Sequence, residues 1–248
     1  MYTKKPIFDA VRLMLKRGFT TAEVKALDAA IDEATGTIVV TAPKEAFDRA
    51  AFLAQFVNTK APAITAEDMK RAADRLGVSV KHIEMGRKVE SGGTSFDNSG
   101  RPIILPEPHI FYRQTGGRFG HTAFSYPKWG QKPYPKSYDA RWQVLADMAE
   151  RDTEAALESA SWGLWQVMGF HWKALDYDSA LDFARRMAAS ETEHLEALVR
   201  YIEANGLSDE LRACRAGSPD SCRAFAKGYN GAGYAKNRYH EKMAEALQ

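Results

Sequence analysis

Residues 79–105, SVKHIEMGRKVESGGTSFDNSGRPIIL, decide the fold. After Ser79, a good helix cap, Val80, Ile83 and Val89 carry the apolar positions of a short helix. The helix runs out at Glu90, because Ser91-Gly92-Gly93 follows. Thr94-Ser95-Phe96 and Pro102-Ile103-Ile104-Leu105 then flank Asp97-Asn98-Ser99-Gly100, a turn composition. The pattern thus predicts a helix, a glycine break and a β-hairpin. Glu90 sits where a helix dipole disfavours an anion, next to the apolar Val89. Both influences raise a carboxyl pKa, as a general acid working near neutral pH requires. Taken singly, however, Glu90 reads most simply as a solvated helix-end glutamate.

On the N-terminal side, Ile7, Val11 and Leu15 recur at helical spacing. Thr20 with Glu23 forms a capping box before Val24, Leu27 and Ile31. Thr37–Thr41 is short and β-branched. Pro43 stands where a further helix begins, with Phe47, Ala51 and Ala54 on one side. Asn58–Ala63 reads as a connector, so residues 1–60 are expected to form a small helical module and 61–248 a second domain. Thr65 with Asp68 opens the next helix, whose stripe is Met69, Ala72, Ala73 and Leu76.

On the C-terminal side, residues 113–140 are irregular and rich in Gly, Pro and aromatics: Phe119, Phe124, Tyr126, Trp129, Tyr134 and Tyr138. A long loop of that kind is usually functional, and its aromatics argue against disorder. From Arg141 the pattern is helical nearly to the end. Trp162 and Trp165 are expected on one helix, and Glu191–Glu196, with His194 three after Glu191, on a solvated face.

Composition narrows the function classes. The chain has 248 residues and a formal charge of +2. Lys and Arg number 12 against 8 acidic residues in 61–140, so the middle is basic, which suits an anionic polymer. No apolar run is long enough for a membrane helix, and Asp9 and Arg12 interrupt any signal-peptide core. No Gly-x-Ser-x-Gly elbow, phosphate-loop lysine or zinc-ligand spacing occurs. No long basic and aromatic cluster marks a nucleic-acid binder. Cys214 and Cys222 read as free thiols, with a local disulfide as the alternative.

Three segments change the weight placed on Glu90. Val89-Glu90-Ser91-Gly92-Gly93 resembles the Glu-Ser segment that carries the catalytic glutamate of lysozyme-like glycosidases. Gly163-Leu164-Trp165-Gln166-Val167-Met168 resembles the Gly-Leu-Met-Gln segment of goose-type lysozymes and soluble lytic transglycosylases. Gly228-Tyr229-Asn230-Gly231-Ala232-Gly233-Tyr234 resembles their Ala-Tyr-Asn-Ala-Gly segment, and the order is the same. Glu107-Pro108-His109 with Phe111-Tyr112-Arg113, the Ser161-Trp162-Gly163 run and the ending Asn237-Arg238-Tyr239-His240 bring the chain closer to one group. Residues 65–247 resemble the phage-endolysin N-acetylmuramidase family. The family's Glu-Arg-His appears here without its Arg.

The resemblance implies a mainly α, lysozyme-like α+β fold with a small β-hairpin beside Glu90. It implies hydrolysis of the β-1,4 bond between N-acetylmuramic acid and N-acetylglucosamine, with Glu90 as general acid and without metal or cofactor. Asp97 and Glu107 are the candidates for a second carboxylate. Thr94, His109, Trp162, Gln166, Tyr229 and Asn230 are the candidates for substrate contact, each with a plainer structural reading. For Asp97 that reading is an Asx turn, for Gln166 a helix-to-helix hydrogen bond. The expected partner is bacterial peptidoglycan, met by a monomer without nucleic acid or stable membrane association. The chain would be made in a host cytoplasm and reach the wall after holin-dependent release. Residues 1–60 hold the place where members often carry a wall-binding module. Two other functions stay open: a lytic transglycosylase, and a non-catalytic peptidoglycan-binding or phage structural protein.

Overall fold

The computed structural model describes residues 5–15, 19–34, 46–90 and 94–248. The Glu90 side chain, Ser91–Gly93, and the expected Thr37–Thr41 and Pro43 segments lie outside the described residues.

The chain divides into two compact units, Met1–Phe47 and Asp48–Gln248. In the first, α1 (Lys5–Leu15) and α2 (Thr21–Ala34) are amphipathic helices. Phe8 meets Phe19 edge-on at 5.6 Å. The capping box forms: the Thr20 N–H donates to Glu23 at 2.8 Å, and the Glu23 N–H donates to Thr20 Oγ1 at 3.3 Å.

The second unit opens with α3 (Arg49–Ala54), so the break falls before Asp48 rather than at residue 60. The cause is burial. Phe56 is inaccessible and lies 5.4 Å from the Trp142 ring and 5.8 Å from that of Trp162. Arg49 pairs with Asp147 at 2.5 Å. Removing this segment would open the core, and aromatic pairs of this kind are worth about 0.5–1.5 kcal/mol each beyond their buried area.

Next come α4 (Ala66–Leu76) and α5 (Val80–Glu90). The Thr65/Asp68 capping box starts α4, and Met69, Ala72, Ala73 and Leu76 are buried as the stripe predicts. After α5 the hairpin is short: Phe96 bridges Pro102, the Asp97 N–H donates to Arg101 O at 2.8 Å and the Ile103 N–H to Ser95 O at 2.8 Å. The chain continues into β1 (Ile104–Pro106), α6 (Pro108–Gln114), α7 (Tyr138–Arg151) and α8 (Thr153–Glu158).

The helical reading beyond Arg141 fails at one place. Residues 160–168 form a second hairpin, β2 (Ala160–Trp162) and β3 (Val167–Met168). The three strands form one antiparallel sheet in the order β1-β2-β3, with Ile104 opposite Trp162 and Trp162 opposite Val167. Gly163 at φ +70° and Gln166 at φ +51° turn the chain between the strands, a conformation no helix contains. Helices α9 (Ala180–Ala189), α10 (Glu191–Ala204), α11 (Ser208–Ala213), α12 (Arg223–Asn230) and α13 (Tyr239–Ala246) complete the unit.

The core is aromatic. The Trp162 ring packs on Trp142 at 5.8 Å and on Phe183 at 6.3 Å, and all three are buried. Cys214 and Cys222 are buried free thiols. No helix among the described residues is long and apolar enough to cross a membrane.

Candidate active site

Trp165 is the hub on which the three sequence segments meet. Its indole Nε1 donates to Ile83 O of α5 at 3.3 Å. Gly86, one turn before Glu90, lets the helix approach: a Cβ there would stand 3.0 Å from Trp165 Cδ1. The Tyr229 hydroxyl, from the end of α12, donates to Trp165 O at 2.8 Å. So the helix that ends at Glu90, the Gly163–Gln166 turn and the Tyr229-Asn230 segment share one anchor.

Gln166 follows that anchor in the chain. Its amide Nε2 donates to Gly163 O at 2.8 Å and to Ile103 O at 3.4 Å, and its Oε1 accepts from Ser161 Oγ at 2.9 Å. These bonds close the turn upon itself and replace the helix-to-helix bond expected of it. They also tie the turn to the first hairpin, since the Ile103 N–H reaches Ser95 O. Thr94, exposed and one residue before Ser95, therefore lies on the hairpin that borders Gln166. Gln166, Met168, His171, Tyr201 and Tyr229 line a small cavity here. Sequence reasoning passed over His171 and Tyr201. They stand 4.9 Å apart edge-on, and burial lowers the His171 pKa. Asn230, half-buried, closes α12 before Gly231.

The hairpin is held from behind. Ser95 Oγ donates to Glu191 Oε1 at 2.5 Å, and the Ile64 N–H donates to Oε2 at 2.8 Å. Glu191 is thus a half-buried tie between the connector and the hairpin, not part of a solvated face. His194 corrects the same expectation. It is buried against Gly163, accepts the Leu164 N–H on Nδ1 at 3.3 Å, and donates from Nε2 to Met187 O at 2.6 Å. Burial drives its pKa down to about 4, so the ring is neutral and both nitrogens are used within the fold.

The other expected site residues divide. Trp162 is buried in the core with Nε1 on Leu157 O, so it cannot meet a substrate. Asp97 is consumed by its own turn. Its Oδ1 accepts the Ser99 and Arg101 N–H groups at 2.8 and 3.0 Å, and its Oδ2 faces the Arg101 guanidinium at 2.8 Å. Arg101 also reaches Asp139 at 3.1 Å. This is the Asx-turn reading of Asp97.

Glu107 stands elsewhere. It follows β1, where its N–H donates to Ser159 O, four residues past the Ile103 carbonyl that Gln166 reaches. At ~3.3 Å per residue that is about 13 Å along the strand. Its carboxylate accepts the Tyr134 hydroxyl and lies 3.2 Å from His109 Nδ1. Burial, then the Glu107 carboxylate, raises the Tyr134 pKa, so the phenol keeps its proton. His109 therefore belongs with Glu107, away from Trp165. A wider groove between α4 and α10 shares none of these residues, and its Arg75 is paired with Glu196 and Glu203.

The N-acetylmuramidase family model matches residues 79–248, beginning one residue before α5. The crystal structure of the Burkholderia AP3 phage endolysin matches with a TM-score of 0.65 and 39% sequence identity. The match covers 75% of this chain and 69% of that one. No curated protein sequence matches. The chain belongs to the N-acetylmuramidase family of phage endolysins and has their mainly helical, lysozyme-like fold. It is a peptidoglycan-cleaving enzyme.

Proposed function

We propose that the enzyme hydrolyses the β-1,4 bond between N-acetylmuramic acid and N-acetylglucosamine, with Glu90 protonating the leaving oxygen. The observation that carries this reading is the meeting of α5, the Gln166 turn and Tyr229 on Trp165. It supports Glu90 because α5 ends one turn beyond that contact.

In this reading Tyr229 and Gln166 are supporting groups. Tyr229 spends its hydroxyl on Trp165 O, and Gln166 spends its amide within the turn. Each fixes the wall of the cleft; Thr94, exposed on the hairpin, is assigned to sugar hydroxyls or the attacking water, and Asn230, at the end of α12, to a further sugar contact. Neither carboxylate candidate is well placed as base or nucleophile. Asp97 is fully engaged, and Glu107 is held by Tyr134 well along the sheet. The second step therefore relies on a water positioned by polar groups of the hairpin, with Glu90 acting first as acid and then as base.

The same groups would serve a lytic transglycosylase, in which the muramic 6-hydroxyl takes the place of water. Mass spectrometry of digested peptidoglycan separates the two. Reducing muramic acid ends are expected; 1,6-anhydro ends, lighter by one water, would replace hydrolysis with transglycosylation. Intact glycan after incubation with folded enzyme would favour a binding or structural protein.

The first unit is proposed to hold the enzyme on the wall. Support comes from its separate compactness and from its place outside the family match. Synthesis in a host cytoplasm, followed by holin-dependent release to the wall, completes the proposal.

A further inference from the structure

Segment 115–137 carries a feature the chemistry above does not use. Trp129 is 61% exposed, whereas Trp142, Trp162 and Trp165 are buried. An exposed indole normally has little to fix its plane. Here the side chain stands beside Tyr134, whose hydroxyl donates to the Glu107 carboxylate. Glu107 is itself held inside, with its side chain 14% exposed and His109 beside it. The base of the segment is firm too: Phe119 stacks on Phe111 at 5.7 Å, Phe124 meets Phe111 edge-on, and Tyr126 is buried. Most of the aromatics thus pack the loop, and one is presented to solvent next to the Tyr134–Glu107 pair.

The charge around it is one-sided. No acidic residue lies between Glu107 and Asp139, while Arg113, Arg118, Lys128, Lys132 and Lys136 fall within that interval. Arg118 is paired with Asp152; Lys128 adjoins Trp129 in sequence, and Lys132 lies 5.8 Å over the Tyr126 ring.

We infer that Trp129 is a stacking platform for a sugar ring of the peptidoglycan strand, at a subsite away from the scissile bond. In this arrangement Tyr134 and Glu107 are positioning residues that lock the indole. A pyranose face presents axial C–H groups that pack on an indole, a contact that combines apolar burial with weak C–H···π attraction. A pre-set ring loses less conformational freedom on binding than a mobile one. The neighbouring lysines suit the carboxylates of the stem peptides. This inference rests on the muramidase reading, and it gives Glu107 a role other than catalysis.

The test uses the full chain carrying Glu90→Gln, so that the strand is bound rather than cut, with soluble N-acetylglucosamine oligomers and purified peptidoglycan strands as probes. Binding is read in every variant by isothermal titration calorimetry, and in the parent protein also by shielding of tryptophan fluorescence from acrylamide, to which the exposed Trp129 is the most open. Saccharide should protect the emission, and Trp129→Ala should weaken binding about tenfold. Tyr134→Phe and Glu107→Gln should each weaken it by a smaller factor, and in the active enzyme the loss should appear in KM for long strands. Trp129→Phe should restore part of the affinity. Unchanged affinity in folded Trp129→Ala would overturn the inference. So would Trp129-dependent binding to anionic lipid vesicles without saccharide binding, since that would make the loop a membrane contact. A wild-type enzyme that releases no glycan fragments would instead remove the muramidase reading, whatever Trp129 does.

Discussion

Gly163 lies against the imidazole of His194: a Cβ added to Gly163 would fall 2.7 Å from the ring's Cγ. The glycine also has φ +70°, in the left-handed region that a side chain resists. Gly163→Ala should therefore cost on the order of 2–4 kcal/mol of stability, through both strain and overlap. Urea denaturation measures this directly. A midpoint equal to that of the wild type would show that the hairpin can shift without penalty.

His194 makes stability depend on pH. Its folded pKa, about 4, lies below the ordinary 6.5, so the unfolded chain binds the proton more readily. The contribution is fully present above about pH 6.5 and is lost as pH falls towards 4, amounting to roughly 3 kcal/mol. His171, lowered by burial as well, adds in the same direction. Unfolding free energies measured from pH 7.5 down to 4 should fall with that slope, and His194→Gln should flatten it. A wild-type stability that stays constant across the window would contradict the buried neutral imidazole.

Asp97 should behave as a structural carboxylate. Asp97→Ala takes one of two carboxylate partners from the buried Arg101 guanidinium and the acceptor from the Ser99 and Arg101 backbone N–H groups, for a cost of about 2–4 kcal/mol. Turnover of the folded protein at low temperature should stay within about threefold of wild type, against the 10²-fold or larger loss that removal of a catalytic acid or base brings. Stability and dye release from labelled peptidoglycan, measured on the same sample, check both halves. A hundredfold loss of turnover in folded protein would return Asp97 to the reacting centre.

Tyr229→Phe removes the bond to Trp165 O while leaving the ring between Tyr201 and Phe225. The expected loss is about 1 kcal/mol of stability, with a fall of about tenfold in kcat/KM because the Gln166 turn loses an anchor. Kinetics on soluble glycan strands test this; an unaltered kcat/KM would mean that the turn holds itself.

Local chemistry was readable where it is local in cause. The Thr65/Asp68 capping box, the α4 stripe and the Asp97 turn all depend on residues within four positions, and each forms as the pattern predicts. The second hairpin was missed because its cause is distant. Ala160–Trp162 is a strand only through pairing with Ile104–Pro106, some fifty-six residues earlier, and its own composition suits a helix equally well. The fates of Trp162 and His194 follow from that error. A tryptophan read on a helix face became a core residue, and a histidine read as solvated proved to be the surface on which Gly163 rests. Of the site, the order of the three segments was legible from their resemblance to lysozyme-like enzymes. Their common anchor on Trp165 was not, because no spacing in the sequence reveals which carbonyl a tyrosine will find.

The central claim is that Glu90 is the general acid, and the most direct measurement is the rate at which Glu90→Gln releases soluble fragments from purified peptidoglycan. Glutamine keeps the shape and loses the proton, so the rate should fall by at least about 10²-fold while circular dichroism and the unfolding midpoint stay as in the wild type. A folded Glu90→Gln protein that clears peptidoglycan within a few fold of the wild-type rate would contradict the account.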